Sequence, residues 1–400
     1  MVVERKQKAI LVGLSGGLDS MVAAYLLRIQ KKELFAVLIA STPEDLQDSG
    51  DSMLACHQSD ARIAAVKKFC EHLHIPLTVI RPREEFMEEV LDPWVASRLE
   101  VTRPRQCQNC HLMRMRILYQ KAVELNCESF ATGHYAKLVK HADGKVSVHS
   151  SNDGELDQSG FLVGLSQEML QKMELPLSEL QHKEVLKIAE NFELNLPLRT
   201  IKVGQCLSPS ETVQRWLYSH SPMSLRQKGE IIEVPEVNRV GPHEGMADIE
   251  FGRAWKVEEK NNEKKEWVVV GANLYSHEVQ VSDPKWFIDT GAQLTHCQWD
   301  EGTDFSIPMK GYLHFGGGLQ DKEVTVYPKT LGGAMVELTE GQDTFIKGAD
   351  LVVFKRRGKN AKVIVSGRIG LSSRHWRENV VIVETENGNS HKEINKDFNF

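Results

Sequence analysis

Three cysteines and one glycine-rich hexapeptide carry most of the chemistry that this sequence offers. Cys107 and Cys110 form a CxxC that opens a helix directly after Arg103-Pro104-Arg105. The positive end of a helix and nearby guanidinium groups both favour a thiolate, so they lower a thiol from its free pKa of about 8.5. Cys206 lies far downstream, in Gly204-Gln205-Cys206-Leu207. A lone CxxC is also half of a zinc site, but four-coordinate zinc usually takes its ligands as two pairs, and no second CxxC or HxxxH exists in the chain. His111, Cys127 or Cys206 could complete such a zinc or iron–sulfur centre. Cys56, Cys70, Cys127 and Cys297 are scattered and read as packing residues. The hexapeptide is Ser15-Gly16-Gly17-Leu18-Asp19-Ser20. Its two glycines can take positive φ and turn backbone N–H groups into a concavity, and the following helix adds its positive N-terminal end. Ser15 and Ser20 supply hydroxyl donors, and Asp19 could hold the loop or a magnesium ion. This is a phosphate cradle. It has neither the Gly-Lys-Ser/Thr of kinases and GTPases nor the dinucleotide GxGxxG.

The elements around these residues must place them at one point. Residues 9–14 are continuously apolar, as a strand buried on both faces requires. Asp19–Gln30 reads as a helix with Met21, Val22, Tyr25, Leu26 and Ile29 on one stripe. A strand follows at Leu34–Ala40, then a helix around Ala61–His72, a strand at Leu77–Ile80, a helix at His111–Leu125 and a strand at Ser129–Thr132. Alternation at this spacing predicts a doubly wound parallel sheet, whose ligands bind beyond the carboxyl ends of the strands. From about residue 225 the pattern becomes strand-like: Ile231–Val234, Trp255–Glu258, Trp267–Val270 and Glu278–Val281, with Asn261-Asn262 as a turn. A second β-rich stretch includes Lys322–Tyr327, Leu351–Phe354 and Lys362–Val365. The expected organisation is a catalytic α/β domain over 1–222, a small β-rich middle domain over 223–295, a β-barrel or sandwich over 296–385, and a loose polar tail over 386–400.

Composition narrows the class. Four hundred residues suit two or three domains, and 41% hydrophobic with 26% charged residues is ordinary for a globular chain. No apolar run of 18 residues and no signal peptide is seen, which predicts a cytoplasmic protein with no membrane partner. An odd seven cysteines do not form a disulfide framework. The net charge of −6 argues against non-specific polyanion binding. Local basic pieces such as Arg81-Pro82-Arg83, Arg114/Arg116 and Lys355-Arg356-Arg357 could still build a groove.

SGGLDS resembles the pyrophosphatase loop (PP-loop) of the N-type ATP pyrophosphatases. Further segments follow in an order similar to that of the tRNA-specific 2-thiouridylase family, over almost the whole chain. They are Cys56 with Asp60-Ala61, then His74-Ile75-Pro76, then RPRQCQNCH against TPNPCxxCN, and Ala131-Thr132-Gly133-His134-Tyr135-Ala136 against ATGHYA. Asp157-Gln158-Ser159 with Phe161-Leu162 resembles KDQSYFL, and Pro176-Leu177 with Lys183-Glu184-Val185 resembles the segment after it. Cys206 falls at the cysteine of SxGxC, and Gly241, His243 and Gly245 match GxHxG. The resemblance implies a divergent member of that family, with an adenine nucleotide alpha hydrolase-like domain, a β-rich middle domain and a C-terminal barrel. It implies adenylation of the C2 carbonyl oxygen of a tRNA uridine, the wobble uridine in the family's usual substrate, and its replacement by sulfur. The products would be 2-thiouridine, AMP and pyrophosphate. On the same basis Cys206 carries the persulfide and Cys110 is the partner thiol. Gly13, Leu14, Ser15, Gly16, Gly17, Leu18, Asp19, Ser20, Ile39 and Gly133 would contact ATP, with Mg2+ at the phosphates. Arg105, Gln106, Cys107, His134, Asp157 and Gln158 would face RNA. The partners implied are tRNA and a sulfur-donor protein, not DNA.

Departures from the family pattern fall on positions expected to face substrate. Leu156 replaces the lysine of KDQ and Gly160 its tyrosine, while Arg105-Gln106 replaces Asn-Pro and His111 an asparagine. Ile201-Lys202 stands for Asp-Ser, Ile249-Glu250 and Arg253 for Tyr-Thr and Gln, and His314-Phe315 for Arg-Tyr. These leave open a paralogue that thiolates or ligates another acceptor, or an ATP- and RNA-binding module without catalysis. Intact Ser15, Asp19, Ser20, Cys110 and Cys206 speak against the last.

Overall fold

A computed structural model describes residues 9–43, 46, 60–153, 156–162, 164–190, 207, 211–234, 236–247, 249–252, 254–258, 264–284, 289–300, 303–315, 318–329, 332–340, 350–357, 359–372, 380–384 and 390–394. The N-terminal part runs β1 (Ile10–Leu14), α1 (Leu18–Ile29), β2 (Leu34–Ile39), α2 (Asp60–His72) and β3 (Leu77–Ile80). Next come α3 (Arg83–Phe86), a π-helical turn (Met87–Leu91), α4 (Asp92–Leu99), the long α5 (Gln106–Glu124) and β4 (Ser129–Ala131). A hairpin of β5 (Lys137–Lys140) and β6 (Val146–His149) precedes α6 (Ser159–Leu162), α7 (Gln167–Lys172), β7 (Met173–Glu174) and α8 (His182–Glu190). Two helices, α9 (Glu211–His220) and α10 (Met223–Arg226), follow.

The main sheet has the order β3-β2-β1-β4-β7, with every pair parallel. Side chains alternate across β1. Ile10, Val12 and Leu14 pack on one face with Met21, Ala24 and Leu27 of α1 and Ile63, Val66 and Phe69 of α2. Leu11 packs on the other with Ile117 and Leu118 of α5. That period of two, with helices on both faces, makes the sheet doubly wound. The chain leaves β1 toward β2 on one side and β4 lies on the other, so the topological switch point falls between β1 and β4.

Five strands, β8 (Gly229–Glu233), β9 (Asn238–His243), β10 (Ala254–Glu258), β11 (Lys264–Asn273) and β12 (Glu278–Ser282), form a separate sheet in the order β10-β11-β12-β8-β9. Beyond it, β13 (Gly291–Trp299), β14 (Met309–Phe315), β15 (Gly318–Pro328), β16 (Ala334–Leu338), β17 (Asp350–Phe354) and β18 (Val363–Ser372) close into a barrel, which decides between barrel and sandwich. Closure removes exposed edges and buries Leu294, Leu313, Val326, Val336, Leu351 and Val365 inside. A last hairpin pairs β19 (Val380–Glu384) with β20 (Ser390–Ile394), reaching into the polar tail.

Two polar seams join these parts. Ser150 N–H donates to the Ala361 carbonyl (2.9 Å), and Ala361 N–H donates to Ser150 Oγ (2.8 Å), tying the segment after β6 to the barrel. On another side Arg98 of α4 is a buried cation. Its Nη2 donates to Glu250 Oε1 at 2.8 Å and its Nε to the Ala247 carbonyl at 3.2 Å, with the guanidinium 4.7 Å from the Trp94 ring centre. Ile249, beside Glu250, is also buried. These two departures from the family pattern were expected at the RNA surface; they serve the contact between α4 and the middle sheet instead. Among the described residues, no helix is long and apolar enough to cross a membrane.

Candidate active site

The loop after β1 and the loop after β4 meet at the switch point and line one cavity of about 210 Å³. Gly13, Leu14, Ser15, Gly17, Asp19 and Ser20 supply one wall, and Thr132, Gly133 and His134 another. Ile39 at the end of β2 and Gln158 and Phe161 beyond β6 complete those sides. The last wall is α5, which presents Cys107, Cys110, His111, Arg114, Met115 and Leu118. Steps of three and four residues put all six on a single face of that helix. The CxxC therefore faces the phosphate loop because of helix periodicity alone.

Side chains close the phosphate loop on itself. Ser15 N–H donates to Ser20 Oγ (3.1 Å), Gly17 N–H donates to Ser15 Oγ (3.2 Å), and Ser20 Oγ donates to the Gly17 carbonyl (2.9 Å). Gly16 has φ +76°, the left-handed region where a side chain is strained. Gly17 does not share it: this residue is the N-cap of α1, extended at φ −88° and ψ 158°. Leu18 and Gly16 do not face the cavity; Leu18 is packed with Val22, Ala23, Tyr135, Leu177 and Val185.

Asp19 is the one carboxylate among the described lining residues. Burial raises its pKa, opposed by the hydroxyl of Tyr135 and by His182. Tyr135 donates to Asp19 Oδ1 at 2.8 Å, and its own proton is held more tightly by burial and by that carboxylate. The imidazoles are uncharged at neutral pH. Burial pulls His134 down to about 4, and it keeps His111 well below the usual histidine range, helped by His134 and Arg114. The rings of His111 and His134 stand edge to face with centres 4.9 Å apart, and His134 Nδ1 lies 2.7 Å from Thr132 Oγ1. His111 Nε2 is shielded from solvent and has no hydrogen-bond partner among the described residues. Arg114 is the lining cation, and its Nη2 donates to Ser41 Oγ at 2.8 Å.

Other residues singled out from sequence lie differently. Arg105 is the N-cap of α5 and Gln106 its first residue, and neither lines the cavity. Asp157 is buried and accepts from Ser151 N–H (2.6 Å) and Ser159 Oγ (2.6 Å), so it braces the loop that presents Gln158. Leu156, at the family's lysine, packs against the cluster around Leu18 and Val185. Arg116 pairs with Glu89 rather than entering the site. Burial raises the thiols of Cys70 and Cys297 to about 12, in keeping with packing roles. Cys206, Cys56, Ile201, Lys202 and Arg253 lie outside the described residues, as do the side chains of His314 and Phe315. Among the described residues, no group of three or more His, Cys, Asp or Glu could hold a metal ion.

Sequence reasoning did not foresee Arg114 as a wall of this cavity, nor the Tyr135–His182 pair behind Asp19. For Arg114 the signal was available, since it stands seven residues after Cys107 on the same helical face. Nothing local announces His182.

Residues 8–207 match the tRNA methyl transferase HUP domain family. The tRNA-specific 2-thiouridylase MnmA of Syntrophotalea carbinolica is 34% identical over 252 residues, 63% of this chain and 69% of that one. The protein of the same name from Shouchella clausii is 25% identical over 364 residues, 88% of this chain and 94% of its own. A solved 4-thiouridine synthetase–RNA complex with bound ATP aligns with TM-score 0.30 at 15% identity, over 46% of this chain and 41% of that one.

Proposed function

The chain belongs to the tRNA-specific 2-thiouridylase family, and from that premise we propose that its cavity is the site of an ATP-dependent tRNA sulfurtransferase. The observation that carries the reading is the meeting of phosphate loop, Gly133-His134 loop and Cys110 in one cavity at the sheet's switch point. Residues 1–222 would form the catalytic part, with the β-rich regions 223–295 and 296–385 helping to hold a tRNA. The enzyme would work in the cytoplasm with a protein that delivers sulfur as a persulfide.

The chemical obstacle is a uridine C2 carbonyl oxygen, which is a poor leaving group. ATP removes it as AMP once that oxygen has attacked the α-phosphorus and expelled pyrophosphate. The loop Gly13–Ser20 with the head of α1 would hold the phosphates. Arg114 supports them with the positive charge that Leu156 cannot give. A divalent ion fits this donor set, because magnesium is commonly held by one or two carboxylates together with substrate phosphates. Asp19 would be its protein ligand through Oδ2, Oδ1 being taken by Tyr135.

Uncharged His134 and His111 keep the acceptor side of the cavity free of competing cations, and Gln158 stands beside them. The terminal sulfur of a Cys206 persulfide would attack C2. Cys110, as thiolate, would then attack Sγ of Cys206, breaking the S–S bond and leaving the sulfur on C2 as AMP departs with the oxygen. The resulting Cys110–Cys206 disulfide needs an external dithiol to reset it.

The experiment is mass spectrometry of tRNA nucleosides after incubation with wild type, Cys110→Ser and Cys206→Ser. Loss of 2-thiouridine in both variants, with acceptor-dependent pyrophosphate release retained, supports sulfur transfer through the two thiols. Product from Cys206→Ser at the wild-type rate overturns it and favours a ligase that needs neither cysteine.

A further inference from the structure

Tyr135 is 1% exposed, and its hydroxyl has a partner on each side. It donates to Asp19 Oδ1 at 2.8 Å and lies 3.0 Å from Nδ1 of His182. A phenol carries one proton. When that proton is given to an ionised Asp19, only lone pairs remain to meet the imidazole, so Nδ1 of His182 must bear a proton and donate it. The same Nδ1 is 3.6 Å from Asp19 Oδ1, which puts it within reach of both members of the pair.

His182 is itself held from outside the cavity. It is the first residue of α8, and its backbone N–H donates to Asp153 Oδ2 at 2.8 Å. Asp153 is fixed in turn by Leu156 N–H, 3.2 Å from Oδ1. Helix α8 packs on α1 through Val185 against Leu18, Val22 and Ala23, so the helix that carries His182 and the phosphate-loop helix share one apolar block. Tyr135 is clamped at its backbone as well: its N–H donates to Gln158 Oε1 (3.1 Å), and Gln158 N–H donates to its carbonyl (2.7 Å).

We infer that His182, which does not line the cavity, is a positioning residue for the reaction, setting the orientation of Asp19 through the Tyr135 hydroxyl. The inference rests on the reading of the cavity as the ATP site. The imidazole orients the phenol, and the phenol fixes the Asp19 carboxylate, which lines the cavity. Without the Nδ1 donor, the phenol and the carboxylate each regain a rotamer, and the carboxylate loses its fixed direction.

The test uses the full chain as wild type, His182→Ala, His182→Asn and His182→Gln. Pyrophosphate release is followed against ATP and tRNA, MgATP affinity is measured by calorimetry, and nitrogen NMR is recorded on histidine-labelled protein. The His182 resonance, assigned by its loss in His182→Asn, is expected to show the proton on Nδ1. His182→Ala is expected to lower kcat by about 10-fold or more and to weaken MgATP, with KM for tRNA unchanged, as loss of alignment predicts. His182→Asn, whose amide N–H falls where Nδ1–H was, should recover to within about 3-fold of wild type, while His182→Gln should not. A neutral His182 with its proton on Nε2, an unchanged kcat and MgATP affinity in His182→Ala, or an asparagine variant as impaired as alanine would each overturn the inference. Should wild type release no pyrophosphate with any tRNA, the sulfur-transfer reading falls; the nitrogen spectrum and the MgATP affinities then decide the role of His182 alone.

Discussion

Substituting Gly133 by alanine perturbs the site without touching a reacting group. A Cβ at this position would lie 2.7 Å from the Asp19 carbonyl carbon, 2.7 Å from Ser20 N and 2.8 Å from the Asp19 carbonyl oxygen. All three are backbone atoms in the first turn of α1, so no side chain can swing away. Reaching an ordinary contact of 3.4 Å requires the head of α1 and the loop after β4 to part by about 0.7 Å. Overpacking of this kind costs about 1–3 kcal/mol of stability. A misplacement near 1 Å can cost about 100-fold in rate, so the expected loss of turnover is about 10- to 100-fold. At Gly13 the added methyl would meet Leu118 Cδ1 at 2.6 Å, the end of a flexible side chain, and a smaller loss is expected. At Gly241 no atom of the described residues lies within 4 Å, which makes Gly241→Ala a control. The assay is acceptor-dependent pyrophosphate release together with urea unfolding. Gly133→Ala with wild-type kcat and MgATP affinity would refute the idea that contact between these two backbones sets the phosphate loop.

Further outcomes follow from the same geometry. His134 has its pKa depressed to about 4 by burial, so the unfolded chain binds the extra proton first; its contribution is complete above about pH 6.5 and is lost as pH falls toward 4. That loss is at most about 3 kcal/mol, and a wild-type melting temperature no more acid-sensitive than that of His134→Gln would contradict it. Arg98→Met should destabilise the protein by about 2 kcal/mol because Glu250 and the Ala247 carbonyl lose their donor, and Arg98→Met/Glu250→Leu should recover part of that in urea titrations. Arg114→Ala should raise KM for ATP by about 10-fold while leaving the fold's urea midpoint within a few tenths molar; an unchanged KM removes Arg114 from the phosphate site.

Much of the α/β part is written locally in the sequence. Continuous apolar runs marked β1 and β2, and a 3.6-residue stripe marked α1, because burial on two faces or on one leaves different periods. For α5 the alternation of elements gives a helix at His111–Leu125, while the CxxC reading opens one at Cys107; the helix begins at Gln106, in line with the second. The barrel strands were visible, but which of them pair is a long-range matter that no short window encodes. At the site, the loop after β1 was legible because Gly16 takes a left-handed backbone that favours glycine, although Gly16 and Leu18 do not themselves line the cavity. Asp157 looked like a substrate contact and is a brace, since a carboxylate bonded to Ser151 and Ser159 has the same sequence signature as one aimed at RNA. His182 and Arg98 act across 47 and 152 residues respectively, and only folding reveals their partners.

The contact between Arg98 and Glu250 also constrains how this lineage can drift. A neutral residue at 250 alone leaves the sealed Arg98 guanidinium without its carboxylate, and one at 98 alone leaves Glu250 without its cation, so selection would meet a weakened intermediate before any second change. The two positions should therefore vary as a pair among close descendants, switching together or staying fixed. A chain carrying arginine at 98 without an acid at 250 would need a substitute acceptor near the Ala247 carbonyl.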